Sequence, residues 1–287
     1  MLFGATLWGL YWLPLRLIEQ AGLPVLWGIG IIYLASSGAL GWLARADLIA
    51  PRPASDWLRL TGIGLSGATS GIAFNIGVIE GEVARVLLLF YLSPLWSVIL
   101  ARWLLAEPLA RYTPAALTLA LAGAALMLIT DLDAGSAAIS RADLLGLIAG
   151  FGFALTNVQL RATQSIPARL KNLAAVALVS PLALAAGMSM ALPMSFPPIA
   201  VLASLVLGLF WMSSMIATVQ IGVSALPVQQ SSVLLLTELI VGALSAALIA
   251  GEQLALSDLV GGLAIVIAGL ITVLSNRRCS ARLSISE

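Results

Sequence analysis

The chain is poor in charge. Asp, Glu, Lys and Arg make up 9% of its 287 residues, histidine is absent, and Cys279 is the single cysteine. A soluble domain is about one quarter charged, and its amphipathic helices use that share to turn a polar face to water. A chain with so few charges cannot build those faces, which excludes a soluble enzyme, a nucleic-acid binder and a disordered chain. Without histidine and with one thiol, it can form no His/Cys metal cluster, Cys–His nucleophile or internal disulfide. No Gly-rich loop ends in Gly-Lys-Ser/Thr, so the usual backbone cradle for ATP is missing. A net charge of +1 gives no general attraction for nucleic acid. No cofactor and no metal are expected, and the chain is not read as an enzyme.

What it has in abundance is apolar length: 61% hydrophobic residues and a mean hydropathy of +1.06. A helix needs roughly 20 mostly apolar residues to cross a bilayer. Ten such stretches are predicted: Leu2–Ile18, Pro24–Ala44, Trp57–Ile79, Val83–Ala106, Thr113–Thr130, Asp143–Gln164, Lys171–Leu192, Pro198–Val223, Leu226–Ala250 and Ser257–Ser275. Turn and charge signals separate them, among them Arg45-Ala-Asp47, Pro51-Arg-Pro53, Asp131-Leu-Asp133 and Pro197-Pro198. The expectation is an all-α integral membrane protein of ten transmembrane helices with short connectors. The first stretch has no basic segment ahead of it and no convincing cleavage site, so it reads as a spanning helix and not as a signal peptide.

Basic residues orient the bundle. With the amino terminus in the cytoplasm, Arg45, Arg52, Arg59, Arg102, Arg111, Arg161, Arg169, Lys171, Arg277, Arg278 and Arg282 fall on the inner side. Only Arg16, Arg85 and Arg141 fall outside. This positive-inside bias predicts a multi-pass membrane protein with both termini cytoplasmic.

One spacing recurs along the chain. Arg16 and Arg161 lie 145 positions apart, as do Asn75-Ile-Gly-Val78 and Gln220-Ile-Gly-Val223, and Glu107-Pro-Leu109 and Glu252-Gln-Leu254. Leucine and alanine align by chance in apolar helices, but Arg, Glu and a carboxamide-Ile-Gly-Val do so far less often. The spacing predicts a duplication: residues 1–134 and 135–276 as two five-helix repeats, with 277–287 as a cytoplasmic tail. Two units of five crossings must point opposite ways, an inverted repeat of the kind associated with alternating-access carriers.

Candidate site residues follow from depth and helical face. Trp8, Tyr11, Trp12 and Leu15 share one face of the first helix. Trp8, Trp12, Tyr91 and Trp211 could line a cavity for a flat, partly apolar solute, or simply pack helices. Asn75, Asn157, Gln230 and Glu238 could meet a substrate's polar groups. Glu238 lies in the middle of the ninth stretch, where a carboxylate costs a few kcal/mol unless paired, protonated or facing water. It could couple protons, partner a substrate ammonium, or hydrogen-bond a neighbouring helix. Glu107 and Glu252, just past helix ends, could cap or tether the next helix or latch a gate. Pro14, Pro94 and Pro181 free carbonyls within helices. Pro14 and Pro94, with Gly77 and Gly222, are the gating or hinge candidates.

Trp8-Gly9 with Arg16, Leu92-Ser-Pro94, and Ala106-Glu-x-Leu and Gly251-Glu-x-Leu after helices four and nine resemble the drug/metabolite transporter superfamily. The resemblance is to its ten-helix branch with paired EamA-type halves, and within it to bacterial exporters of aromatic amino acids. The second half has Leu239 where the first has Pro94. The resemblance implies a secondary transporter of the bacterial inner membrane exporting aromatic amino acids and related small flat solutes, its partners being that substrate and membrane lipid; whether protons are coupled, or transport is facilitated diffusion, stays open. Export of other metabolites or drugs, a passive channel, and a membrane-embedded lipid enzyme remain as alternatives.

Overall fold

The computed structural model describes residues 2–106, 112–129, 140–218, 238–252 and 255–283, and all regular structure among them is helical. Six helices are long and apolar enough to cross a membrane: Val25–Leu43, Ala54–Glu80, Val83–Leu104, Arg141–Ala162, Ala168–Ser189 and Pro198–Thr218. Shorter apolar helices cover Thr113–Leu126, Glu238–Ile249 and Leu256–Ile271, and the first stretch is a helix broken in two. Helix is thus present in each of the ten predicted stretches. Glu107, Gly222 and Gln230 lie outside the described residues.

In chain order the helices are α1 (Leu2–Leu10), α2 (Trp12–Gln20), α3 (Val25–Leu43), α4 (Arg45–Ile49), α5 (Ala54–Glu80), α6 (Val83–Phe90) and α7 (Ser93–Leu104). They continue with α8 (Thr113–Ile129), α9 (Arg141–Ala162), α10 (Ala168–Ala177) and α11 (Val179–Ser189). Then come α12 (Pro198–Thr218) and α13 (Glu238–Ile249), and last α14 (Leu256–Leu283). The last helix carries on past Ser275, where the predicted span ends.

Three stretches break in the same way. The helix lapses at Tyr11, at Tyr91-Leu92 and at Leu178, and in each case a proline follows three residues after the start of the break: Pro14, Pro94 and Pro181. Proline has no N–H for the carbonyl four residues back, and its ring collides with that carbonyl. The chain answers with tight turns, Tyr11 N–H donating to Trp8 O at 3.1 Å and Leu92 N–H to Leu89 O at 3.2 Å. α12 and α13 carry wider, π-type turns at Leu207–Met212 and Ala246–Ala250, a local expansion often found at functional sites.

Packing relies on small residues. In lipid there is little hydrophobic drive between helices, so close backbone approach supplies the contact. α5 runs along α9 and α8 along α14. At Gly152 an added Cβ would stand 2.9 Å from Ser70 N and 3.1 Å from Ser66 O. One buried cluster, containing Tyr11, Trp12, Tyr33, Phe74, Leu87 and Leu239, joins the first helices to α13.

Gly152→Leu should therefore lower the melting temperature of the purified protein, since overpacking costs about 1–3 kcal/mol. Gly269→Ala, with nothing within 4 Å of an added Cβ, should leave it unchanged. Thermal unfolding in detergent reads both.

Candidate functional site

The breaks place two tyrosines at the centre of the bundle. Tyr91 is at the α6–α7 break, and its hydroxyl donates to the Glu238 carboxylate on α13. Glu238 is buried at 8% exposure, and α1 lies directly against it. An added Cβ at Gly9 would stand 2.6 Å from Glu238 O and 2.9 Å from Gly242 N. Gly9 thus lets α1 approach the backbone of α13 at Glu238 closely, and any side chain there would push it away.

Aromatic rings surround this point. Trp8 meets Tyr11 edge-on with centroids 6.3 Å apart. Phe90 packs on Phe74 at 5.3 Å and on Phe153 at 5.2 Å, and Tyr91 stands edge-on to Phe90 at 6.0 Å. Trp211 Nε1 donates to Leu7 O at 3.1 Å, tying α12 to α1. Beside it, an apolar groove of about 570 Å³ runs between these helices, walled by Pro14, Leu17, Leu207, Phe210 and Trp211.

The remaining candidates are distributed as follows. Trp12 is buried; its Nε1 donates to Ser245 Oγ at 2.9 Å and its ring lies 5.2 Å from the Arg16 guanidinium carbon. Asn75 is fully buried and its amide nitrogen donates to Gly71 O at 2.6 Å. Asn157 is half-buried on α9, next to Thr156, whose hydroxyl donates to Ser66 Oγ at 2.8 Å. Gly77 is buried where α5, α6 and α9 meet, and its carbonyl accepts from Gly81 N at 2.9 Å. The structure therefore gathers Trp8, Tyr91 and Glu238 about α1, with Trp211 on its other side, and sets Asn75 against α3.

A charged latch closes one end. Arg16 Nη1 is 3.2 Å from Glu252 Oε1, while its other nitrogens donate to Val78 O and Gly81 O at the end of α5. Glu252 accepts in turn from Val83 N at 3.0 Å and Ala84 N at 3.3 Å. A carboxylate on those amides satisfies the first donors of α6 and meets the positive end of its dipole. Gly251, with φ of 69°, supplies the left-handed turn that ends the preceding helix and aims Glu252 there. Glu252 thus caps the fourth stretch, not the one that follows it. Glu107, 145 positions before Glu252, lies outside the described residues.

Sequence reasoning missed a second ionic cluster. Arg85 Nε donates to Asp143 Oδ1 at 2.7 Å, and its Nη1 is 3.8 Å from Asp258 Oδ1, all three residues being buried. The available signal was Ser140-Arg-Ala-Asp143, a capping box that the structure forms. The polar cavity beside it holds about 440 Å³. Among the described residues no group of three or more His, Cys, Asp or Glu could hold a metal ion.

Broken helices and a buried carboxylate thus meet within a bundle of long apolar helices. Residues 1–129 match the model of the EamA-like transporter family. Proteins of that family are transporters and not enzymes. A solved crystal structure of a protein given no further description aligns with a TM-score of 0.61 at 19% identity. The alignment covers 95% of this chain and 97% of the other, and at that identity it speaks for the fold alone. No curated protein matches the chain.

Glu252→Gln should loosen the latch. In a Cys279→Ser background, a cysteine introduced by Ser245→Cys should then react faster with a membrane-impermeant maleimide than it does with Glu252 intact. Equal labelling rates would deny Glu252 a closing role.

Proposed function

We propose that the chain is a secondary transporter that exports aromatic amino acids and related small flat solutes across the bacterial inner membrane by alternating access. Within the superfamily its resemblance is to exporters of which YddG is the type. The observation that carries the reading is the Tyr91–Glu238 pair at the break between α6 and α7, beside the aromatic face of α1. Discontinuous helices near the midplane are where carriers of this architecture bind substrate. Ring faces from Trp8, Trp12, Tyr91 and Trp211 would hold an aromatic side chain. Asn75, Asn157, Gln230 and Glu238 would meet its amino and carboxylate groups.

Alternating access needs two halves that can exchange roles, and the contacts support that. Leu7 and Gly152 are 145 positions apart, as are Ser66 and Trp211. Trp211 bonds to Leu7 O on one side of the bundle, and Gly152 lies on Ser66 O on the other. Likewise α1 leans on α13 through Gly9 and Gly242. Their counterparts 145 positions away, Ala154 and Ser97, fall on α9 and α7, which also pack together. The pair α8 and α14 meets at Gly123 and Gly261, whose counterparts Ala268 and Ala116 are buried in the same helices. In these three cases the elements 145 positions away are also brought together, running the other way. An inverted duplication over 1–134 and 135–276 would produce this pattern. Pro14 and Pro94, each at a break, would let the helices bend as the halves rock, with Gly77 and Gly222 at the matching carboxamide-Ile-Gly-Val elements.

Proteoliposomes containing the protein should take up labelled phenylalanine faster than empty liposomes, with a rate that saturates as concentration rises. No difference would remove this function, and an unsaturable rate would replace the carrier with a channel.

If Glu238 couples transport to protons, Glu238→Gln should erase the acceleration produced by a pH gradient. The ratio of rates with and without the gradient reads this; an unchanged ratio means that coupling, if present, runs through another group.

A further inference from the structure

Opposite the Glu238 pair, three uncharged polar side chains are buried together on the first three stretches. Tyr11 is 1% exposed, Tyr33 5% and Asn75 0%. The break before Pro14 places Tyr11, whose hydroxyl has no hydrogen-bond partner among the described residues. Tyr33 stands on α3, in the same buried cluster as Tyr11. Asn75, on α5, donates from its amide nitrogen to the Tyr33 hydroxyl at 3.5 Å and to Gly71 O at 2.6 Å. The Gly71 carbonyl can only accept, so the atom facing it must be the nitrogen, and this fixes the amide orientation. The amide oxygen Oδ1 is left buried and without a partner among the described residues.

Buried polar groups are nearly always bonded, and an orphan calls for an explanation. Here the orphans are of two complementary kinds. Tyr11 offers an O–H donor; Tyr33, whose oxygen already accepts from Asn75, has its own O–H to give; Asn75 offers a carbonyl acceptor. Two hydroxyl donors fit a carboxylate, and one amide oxygen fits an ammonium. None of the three residues carries charge, so the set as a whole suits a headgroup whose own charges cancel.

We propose that Tyr11, Tyr33 and Asn75 form the polar subsite for the zwitterionic head of an α-amino acid, the tyrosines taking its carboxylate and Asn75 its ammonium group. This rests on the transport reading above and deepens it by naming what holds the head while the rings hold the side chain. The hinge at Tyr11 is the means of access: rotation of α1 against α2 exposes these groups, and a bound head supplies the hydrogen bonds that the closed protein lacks. The bond an amino acid brings is therefore available only on binding. A solute without either charged group leaves the orphans unpaired and is bound less well.

The test uses the full chain in lipid nanodiscs and three probes by calorimetry: phenylalanine, phenethylamine (no carboxylate) and 3-phenylpropionate (no amine). Tyr11→Phe and Tyr33→Phe should each weaken phenylalanine and phenylpropionate roughly tenfold, the loss of one hydrogen bond, and leave phenethylamine unchanged. Asn75→Leu should weaken phenylalanine and phenethylamine and leave phenylpropionate unchanged. Tyr11→Phe should melt no lower than the parent, because the hydroxyl it removes has no partner in the closed protein; this variant carries the test if Asn75→Leu fails to fold. Phenylalanine binding that ignores all three substitutions, or losses equal across the probes, overturns the subsite and leaves the transport reading standing. Failure of the parent protein to bind any of the three probes overturns both.

Discussion

Inside a bilayer a backbone group that loses its partner cannot turn to water, so an interrupted helix survives only where neighbouring protein covers the interruption. The architecture described here depends on that constraint. Pro14, Pro94 and Pro181 each strip a helix of a hydrogen bond, and each break is absorbed by a local turn and a close neighbour. At the second break Gly150 brings α9 against the carbonyl of Phe90, where an added Cβ would stand 2.7 Å from the oxygen. The first two interruptions each hold a tyrosine in place, Tyr11 and Tyr91.

Those tyrosines face two different chemistries. Tyr91 binds a carboxylate contributed by the other half of the chain; Tyr11 stands with Tyr33 and Asn75 in a neutral polar cluster that is short of partners. The separation has a physical logic. A charged group at depth is tolerable when it is hydrogen-bonded and useful when it exchanges protons or meets a cation. A neutral cluster with unmet hydrogen bonds carries a smaller penalty and gains when a polar solute arrives. At the end of the bundle the Arg16–Glu252 latch works differently, binding backbone groups of α5 and α6 as well as each other, so that opening it costs an ion pair and a helix cap together.

Much of this was legible in the residues. Composition alone placed the chain in a membrane, because 9% charge cannot clothe soluble helices. The prolines announced the breaks, and the isolated carboxylate in Leu-Leu-Thr-Glu-Leu-Ile marked Glu238. The 145-residue spacing picked out Arg16 and Glu252 separately, one as a member of a repeated pair and one as a helix-end acid. It did not join them to one another, because they belong to opposite halves and sit 236 positions apart. Arg85, Asp143 and Asp258 were passed over for the same reason: each is an ordinary charge near a helix end until three helices converge. Tyr33 gave no signal, being one aromatic in a hydrophobic helix.

The sequence by itself determined the solvent, the helices and their interruptions, since these rest on hydropathy and on the missing N–H of proline. Only the tertiary structure decided which faces meet. Helix-to-helix contact in lipid is governed by shape and by a few hydrogen bonds between distant residues, and neither leaves a periodic trace along the chain. Gly9 against Glu238, and Tyr11 beside Tyr33, exist because small residues let particular backbones approach, a fact of three dimensions that no stretch of residues contains.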